Sequence, residues 1–219
     1  MKSIKVSIVL GVYYDMEIKH RITKAAEQMF LRFGVKVITM DQIARELGMS
    51  KKTIYQYFQD KNELVCEVLR GYMEKDDKCI NEIIENASDP VDEVLRIADY
   101  LSSSLQNMNL AVLYEVQKYH PEAYNIYKEF KEKCIKNTLV ENLKRGIEKG
   151  LYRKELNVEI ISKLRMESVE LGFNPTIFSP LKFTVQEIQV QFLDHFLHGI
   201  CTLKGHKLIN KYKQITEEE

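Results

Sequence analysis

Ser50, Lys51, Lys52, Thr53, Tyr55, Gln56 and Tyr57 crowd into one short stretch of the chain. Ammonium and hydroxyl groups at this density suit phosphate oxygens, and an amide with phenols beside them suits base edges. The chemistry on offer is recognition of a polyanion. Lys61 adds a cation in the first turn of the following helix, where it opposes the helix dipole; a phosphate neighbour would account for it. Thr39, upstream, stands where a helix begins.

A second grouping points elsewhere. His195 and His198 are three apart, with Asp194 and Glu187 near them, a spacing that could begin a metal site on a helix. The sequence places no third ligand, and it contains no phosphate loop and no nucleophile elbow. No metal, cofactor or catalytic residue is therefore assigned, and no enzyme is expected.

The elements that must position the first group are short. Ile18, Ile22, Ala26, Met29, Phe30 and Phe33 fall at helical spacing, and Gly34 supplies the stop. Thr39 with Gln42 forms a capping box opening a helix of barely two turns, with Met40, Ile43, Ala44 and Leu47 on one face. Gly48 turns the chain, Ser50 caps the next helix, and Ile54 and Phe58 anchor it. Asp60 with Glu63 opens a longer helix. A short helix, a tight turn and a second short helix make the second project, and a projecting helix roughly 10–12 Å across fits the major groove of duplex DNA.

Composition agrees. The 219 residues are 45% hydrophobic with only 9 Gly and 4 Pro, so an all-α fold with a sizeable core is expected. Net charge is zero, yet residues 1 to 71 carry 12 Lys and Arg against 8 Asp and Glu, while the rest carry 20 against 24. A basic front and an acidic rear suit a molecule that touches a polyanion with one end. Four scattered cysteines indicate neither zinc knuckle nor disulfide framework, and a reducing cytoplasm is expected. The head, MKSIKVSIVLGVYY, reads as a disordered or strand-like arm or as a leader ahead of Met16; a signal peptide is disfavoured, and no membrane partner is expected.

The segment from Thr39 to Leu64 resembles the DNA-binding domain of the TetR/AcrR family of bacterial transcriptional regulators. The resemblance covers roughly residues 18 to 66 and rests on Thr39, Ile43-Ala44, Gly48, Ser50, Tyr55-Gln56-Tyr57-Phe58, Lys61 and Glu63-Leu64. It implies that Thr39, Tyr57 and Lys61 bind phosphate while Lys51, Lys52, Thr53, Tyr55 and Gln56 face bases. It also implies an arm or leader over 1–16, a helix-turn-helix domain over 17–65, and a helical effector-binding and dimerisation domain over 66–219, about nine helices in all. Its partners would be a palindromic DNA operator, a small apolar or amphipathic effector and a second copy of the chain, with repression as the mode.

In the second half the resemblance is one of architecture. Met108, Leu113, Tyr114, Gln117, Tyr124 and Tyr127 lie where a family pocket would be lined. Family members dimerise through their last two helices. Here the final one, expected over Val185 to Lys204, carries a stripe of Ile188, Phe192, Phe196, Ile200 and Leu203 with Gly199 beside it, and the preceding one carries Ile160, Leu164, Val169 and Leu171. One reading helix grips little DNA, and two-fold symmetry supplies a second half-site. The alternatives are an adaptor that keeps the helix-turn-helix as scaffold, and a metal-dependent enzyme built on His195 and His198.

Overall fold

The computed structural model describes residues 2–106 and 108–214, with side chains from Asp15 onward. In chain order the helices are α1 (Lys2–Phe33), α2 (Met40–Glu46), α3 (Lys51–Tyr57), α4 (Lys61–Asn86), α5 (Pro90–Leu105), α6 (Val112–Tyr119), α7 (Pro121–Phe130), α8 (Lys136–Glu148), α9 (Val158–Gly172), α10 (Val185–Ile200) and α11 (Leu203–Lys213). A single π-turn, Lys131–Ile135, joins α7 to α8. The fold is all-α: among the described residues the sole β-type pairing is an isolated bridge between Tyr152 and Cys201.

An N-terminal core forms where α1, α2, α3 and the start of α4 turn their apolar faces together. Ile22, Phe30, Ile43, Ile54, Phe58 and Leu64 are all buried there. Each such side chain contributes about 1.5–3 kcal/mol through removal from water. Val112, Val116 and Ala123, from α6 and α7, close the same core from the other side, so the two halves share it. A boundary at residue 65 falls inside α4, whose Leu64, Val65, Cys66 and Val68 belong to this front core while its later turns run on beside the rear of the molecule.

The rear core gathers α5, α8, α10 and α11 around Val91, Leu143, Leu197 and Ile209. Tyr152 ties it together. Its hydroxyl donates to the Pro90 carbonyl at 2.9 Å and to Asn142 Oδ1 at 3.0 Å. Its ring lies so close to Gly146 that a Cβ there would approach Cδ2 to 2.0 Å. Gly150, at φ +67°, ends α8 and lets the Leu151 N–H reach back to the Gly146 carbonyl, bringing Tyr152 to this position.

Three expectations need correction. The head is helix: α1 runs from Lys2, because neither Pro nor a strong cap interrupts the segment before Gly34. The last helix does not reach Lys204. It stops at Ile200, where Cys201 turns extended to bridge Tyr152 and Thr202 caps α11, accepting from Gly205 N. The stripe expected at a dimer seam faces inward. Ile188 (5% exposed) and Ile200 (3%) are core, and Phe192 and Phe196 are half-buried against the same interior. What α9 and α10 leave outside is Ile160, Leu164 (62% exposed), Leu171, Val190 and Gly199, with Leu203 at the start of α11. Asn107 and the C-terminal ITEEE segment lie outside the described residues.

Candidate nucleic-acid interface and effector cavity

The α2–α3 pair is built by its caps. Thr39 Oγ1 accepts from the Gln42 N–H at 3.2 Å, and Gln42 Oε1 accepts from the Thr39 N–H at 2.8 Å, so both orphan donors are satisfied reciprocally. At the far end Gly48 takes φ +63°, and the Met49 and Gly48 N–H groups bond back to Ala44 and Arg45 at 2.8 and 3.2 Å, a Schellman stop. Ser50 then caps α3 through Thr53 N at 3.0 Å. Two caps around one left-handed residue fix the angle at which α3 leaves α2, and buried Ile54 and Phe58 hold its inner side.

The outer side is open. Ser50, Lys51, Lys52 and Gln56 are exposed, and Tyr55 shows 43% of its surface. Lys51 bonds Asp41 on α2 at 2.8 Å, which raises its pKa, and its ammonium lies 5.8 Å from the Tyr55 ring centroid. Thr53 is half-buried, with its hydroxyl 2.8 Å from that of Ser50.

Two residues expected to touch phosphate are engaged within the fold. The Tyr57 hydroxyl donates to Asp15 Oδ1 on α1 at 2.9 Å. The Lys61 ammonium donates to the Val35 carbonyl at 2.5 Å and lies 3.4 Å from that of Lys36, and burial pulls its pKa down. A cation at the start of α4 is thus explained by the chain leaving α1, whose carbonyls it satisfies.

Behind this unit the six residues expected to line a pocket divide between two cavities. Leu113, Tyr114, Gln117 and Tyr124 face a surface cleft of about 390 Å³ against α9. Met108, Leu113 and Tyr127 line an interior cavity of about 290 Å³ walled by α1, α4, α5, α6, α7, the π-turn, α8, α9 and α10. Leu113 touches both. Lys131, at the π-turn, lies between them: it lines the interior cavity while its ammonium bonds Glu167 and Glu170 of the cleft at 3.0 and 2.8 Å. The interior walls are apolar, Val68, Leu69, Val94, Ile97, Met166 and Phe196 among them. Such a cavity suits an apolar or amphipathic small molecule.

Sequence reasoning missed the polar groups of this cavity and the links between the two halves. Arg165 is 8% exposed and lines the interior cavity, and burial lowers its pKa to about 10. Its spacing of four from both Ile161 and Val169, which put it on the inward face of α9, was the available signal. Glu93 is buried, with one oxygen paired to Arg145 at 2.7 Å and the other without a donor among the described residues. Between the halves, Glu115 Oε2 accepts from the Lys36 N–H at 2.8 Å, the Asn109 N–H donates to the Leu31 carbonyl at 2.6 Å, and Asn62 Nδ2 donates to Glu122 at 2.5 Å.

The paired histidines are otherwise occupied. His198 Nδ1 lies 2.9 Å from the Asp194 carbonyl and its ring stacks obliquely near His206, while the Asp194 carboxylate pairs with Lys213. Among the described residues no three His, Cys, Asp or Glu side chains converge. No helix among them is long and apolar enough to cross a membrane.

Residues 22–68 match the family model described as bacterial regulatory proteins, tetR family. The chain is similar to the HTH-type transcriptional repressor KstR2 of Mycobacterium tuberculosis, at 24% identity over 185 residues covering 82% of this chain and 90% of that protein. It is also similar to the HTH-type transcriptional regulator YvaF of Bacillus subtilis, at 26% identity over 165 residues covering 74% and 85%. Among solved structures, a TetR-family transcriptional regulator from Agrobacterium tumefaciens shares the fold with a TM-score of 0.71 at 18% identity, over 85% of this chain and 99% of that one. The helix-turn-helix of residues 22–68 thus matches the tetR family of bacterial regulatory proteins in residues and geometry, and the helical remainder shares the architecture of a TetR-family regulator.

Proposed function

We propose that this protein is a cytoplasmic, ligand-responsive repressor that binds a short palindromic DNA operator as a homodimer and leaves it when a small effector occupies the rear domain. Residues 17–65 act as the reading unit and residues 66–219 as the effector and dimerisation unit. Lys51, Lys52, Thr53, Tyr55 and Gln56 face base edges, while Thr39, Ser50 and Tyr57 lie towards the backbone. The observation that carries this reading is the open face of α3, cationic and aromatic, held at a fixed angle by the Gly48 turn. An adaptor would have no need of cations along a groove.

The dimer reading favours a seam different from the inward stripe. Ile160 and Leu164 of α9, one turn apart and exposed, together with Val190, Gly199 and Leu203, form the apolar surface that a second copy would cover. The interior cavity lies against α1, α4 and α6, and the contacts of Glu115, Asn109 and Asn62 supply a path by which filling it would tilt the reading unit. An effector shifts that balance only by its differential affinity for the two arrangements.

Selection of bound duplexes from a random pool tests the whole reading. A two-fold symmetric site with half-sites about one helical turn apart is the expected product. Recovery of no preferred sequence at low salt would end it.

A further inference from the structure

Glu27, Asp76, Asp77, Glu93, Lys131 and Arg165 are the charged groups lining the interior cavity, and most of them meet partners within the fold, although Glu93 keeps one buried oxygen without a donor among the described residues. Lys131 is clamped by Glu167 and Glu170. Glu93 meets Arg145 at 2.7 Å, Asp76 accepts from Tyr100 at 2.5 Å, and Asp77 accepts from Asn81 at 3.2 Å. Arg165 is the exception among the buried cations. It is 8% exposed, its NH1 donates to Ser168 Oγ at a long 3.3 Å, and its guanidinium lies 5.7 Å from the Phe196 ring centroid. Among the described residues no carboxylate pairs with it. A guanidinium carries five N–H donors in a planar fork, so most of this one's donors meet no acceptor among the described residues. A buried cation in that condition is costly to the fold, and residues in that condition are kept where a ligand completes them.

We propose that the interior cavity binds an amphipathic carboxylate, its anionic head held by the fork of Arg165 and its apolar body lying among Val94, Met166, Val169 and Phe196. This deepens the effector reading given above and rests on it. Arg suits a carboxylate in particular, because two parallel N–H groups meet two oxygens. The apolar walls forbid a small hydrophilic anion, and the cavity volume of about 290 Å³ limits the body to a compact skeleton or a medium-length chain.

The experiment uses the purified full-length protein and three probes of equal length and different head: octanoate, 1-octanol and octyltrimethylammonium, titrated calorimetrically into wild type, Arg165→Met and Arg165→Lys. Octanoate is expected to bind wild type most tightly. Arg165→Met should weaken octanoate by about tenfold or more, the value of a charged hydrogen-bonded pair, and leave octanol within about twofold. Arg165→Lys keeps the charge without the fork and should fall between. The melting temperature of the unliganded Arg165→Met protein should not drop, because no ion pair is broken. Octanoate binding that survives Arg165→Met, or octanol binding as tightly as octanoate to wild type, overturns the carboxylate while leaving the cavity as the effector site. Preference for octyltrimethylammonium does the same. Failure of all three probes to bind wild type overturns both readings. Should Arg165→Met fail to fold, unchanged octanoate affinity in Arg165→Lys refutes the role of the fork.

Discussion

Glu115 on α6 accepts from the backbone N–H of Lys36 at 2.8 Å, and so one carboxylate of the rear domain holds the loop on which the reading unit is hung. The same carboxylate crowds Gly34: a Cβ there would stand 2.8 Å from Oε2. Gly34 also sits at φ +89°, a conformation that costs an L side chain about 1 kcal/mol. Backbone conformation thus demands glycine here, and a side chain in its place would also have to displace the Glu115 carboxylate from its contact with Lys36.

Gly34→Ala should therefore cost more than backbone strain alone, about 2 kcal/mol or more in urea denaturation. In a double-mutant cycle Glu115→Ala should recover part of that cost, since it removes the crowding but not the strain. Strict additivity would show that the two residues do not share the contact. Glu115→Ala alone should also blunt the release of operator by effector while leaving operator affinity without effector nearly intact, which a gel-shift titration with and without ligand would read.

Asp41 and Lys51 are bonded at 2.8 Å on the open side of the α2–α3 pair, so the Lys51 cation is partly answered within the fold. Asp41→Asn should raise operator affinity and steepen its dependence on salt. Lys52→Ala, by contrast, should lower affinity across all sequences and reduce the salt slope by about one. Gln56→Ala should instead change the ranking of variant operators. Fluorescence anisotropy at several salt concentrations distinguishes these outcomes, and a Gln56 variant with an unchanged ranking would remove that residue from base reading.

Much of the reading unit was legible because local chemistry fixes it. Thr39 with Gln42, Gly48, Ser50 and Asp60 are caps and stops whose partners lie within a few residues, and each forms as its type and spacing demand. The rear domain was legible in its helices and less so in their facing. A stripe such as Ile188, Phe192, Phe196 and Ile200 states that one side is apolar; whether that side meets the chain's own core or a second copy is decided by α5 and α11, far away in sequence. The break at Cys201 was hidden for the same reason, being set by the bridge to Tyr152. Arg165 carried the opposite signal, a charge on an apolar face, whose meaning emerges once the cavity is known.

Lys61 offers a test between two roles. Its bonds to the Val35 and Lys36 carbonyls make it a clasp on the end of α1. Lys61→Met keeps the aliphatic stem and removes the donor, and should lower stability by about 1–3 kcal/mol, the cost of leaving a buried carbonyl unanswered. Operator affinity measured well below the new melting temperature should keep its salt slope. A slope reduced by about one would instead assign Lys61 a phosphate contact.

His120 joins α6 to α7 and lies 8% exposed at the same junction. Asn62 Nδ2 donates to Glu122, so Asn62 Oδ1 faces His120 Nδ1, 3.1 Å away, and that nitrogen carries the proton of a neutral ring. Burial lowers the pKa of His120 below its ordinary 6.5; the Lys61 cation lowers it further, and Asp60 and Glu115 oppose the shift. In the unfolded chain the ring titrates at its ordinary value, so below about pH 6.5 the unfolded state binds a proton that the folded state refuses. The contribution is complete above that pH and declines as pH falls towards the folded pKa, at a rate of at most about 1.4 kcal/mol per pH unit. Urea denaturation across pH 5 to 8 should show stability falling on the acid side, and His120→Gln, which keeps a donor without a titrating ring, should flatten that limb. An acid limb unchanged in His120→Gln would move the cause to the carboxylates.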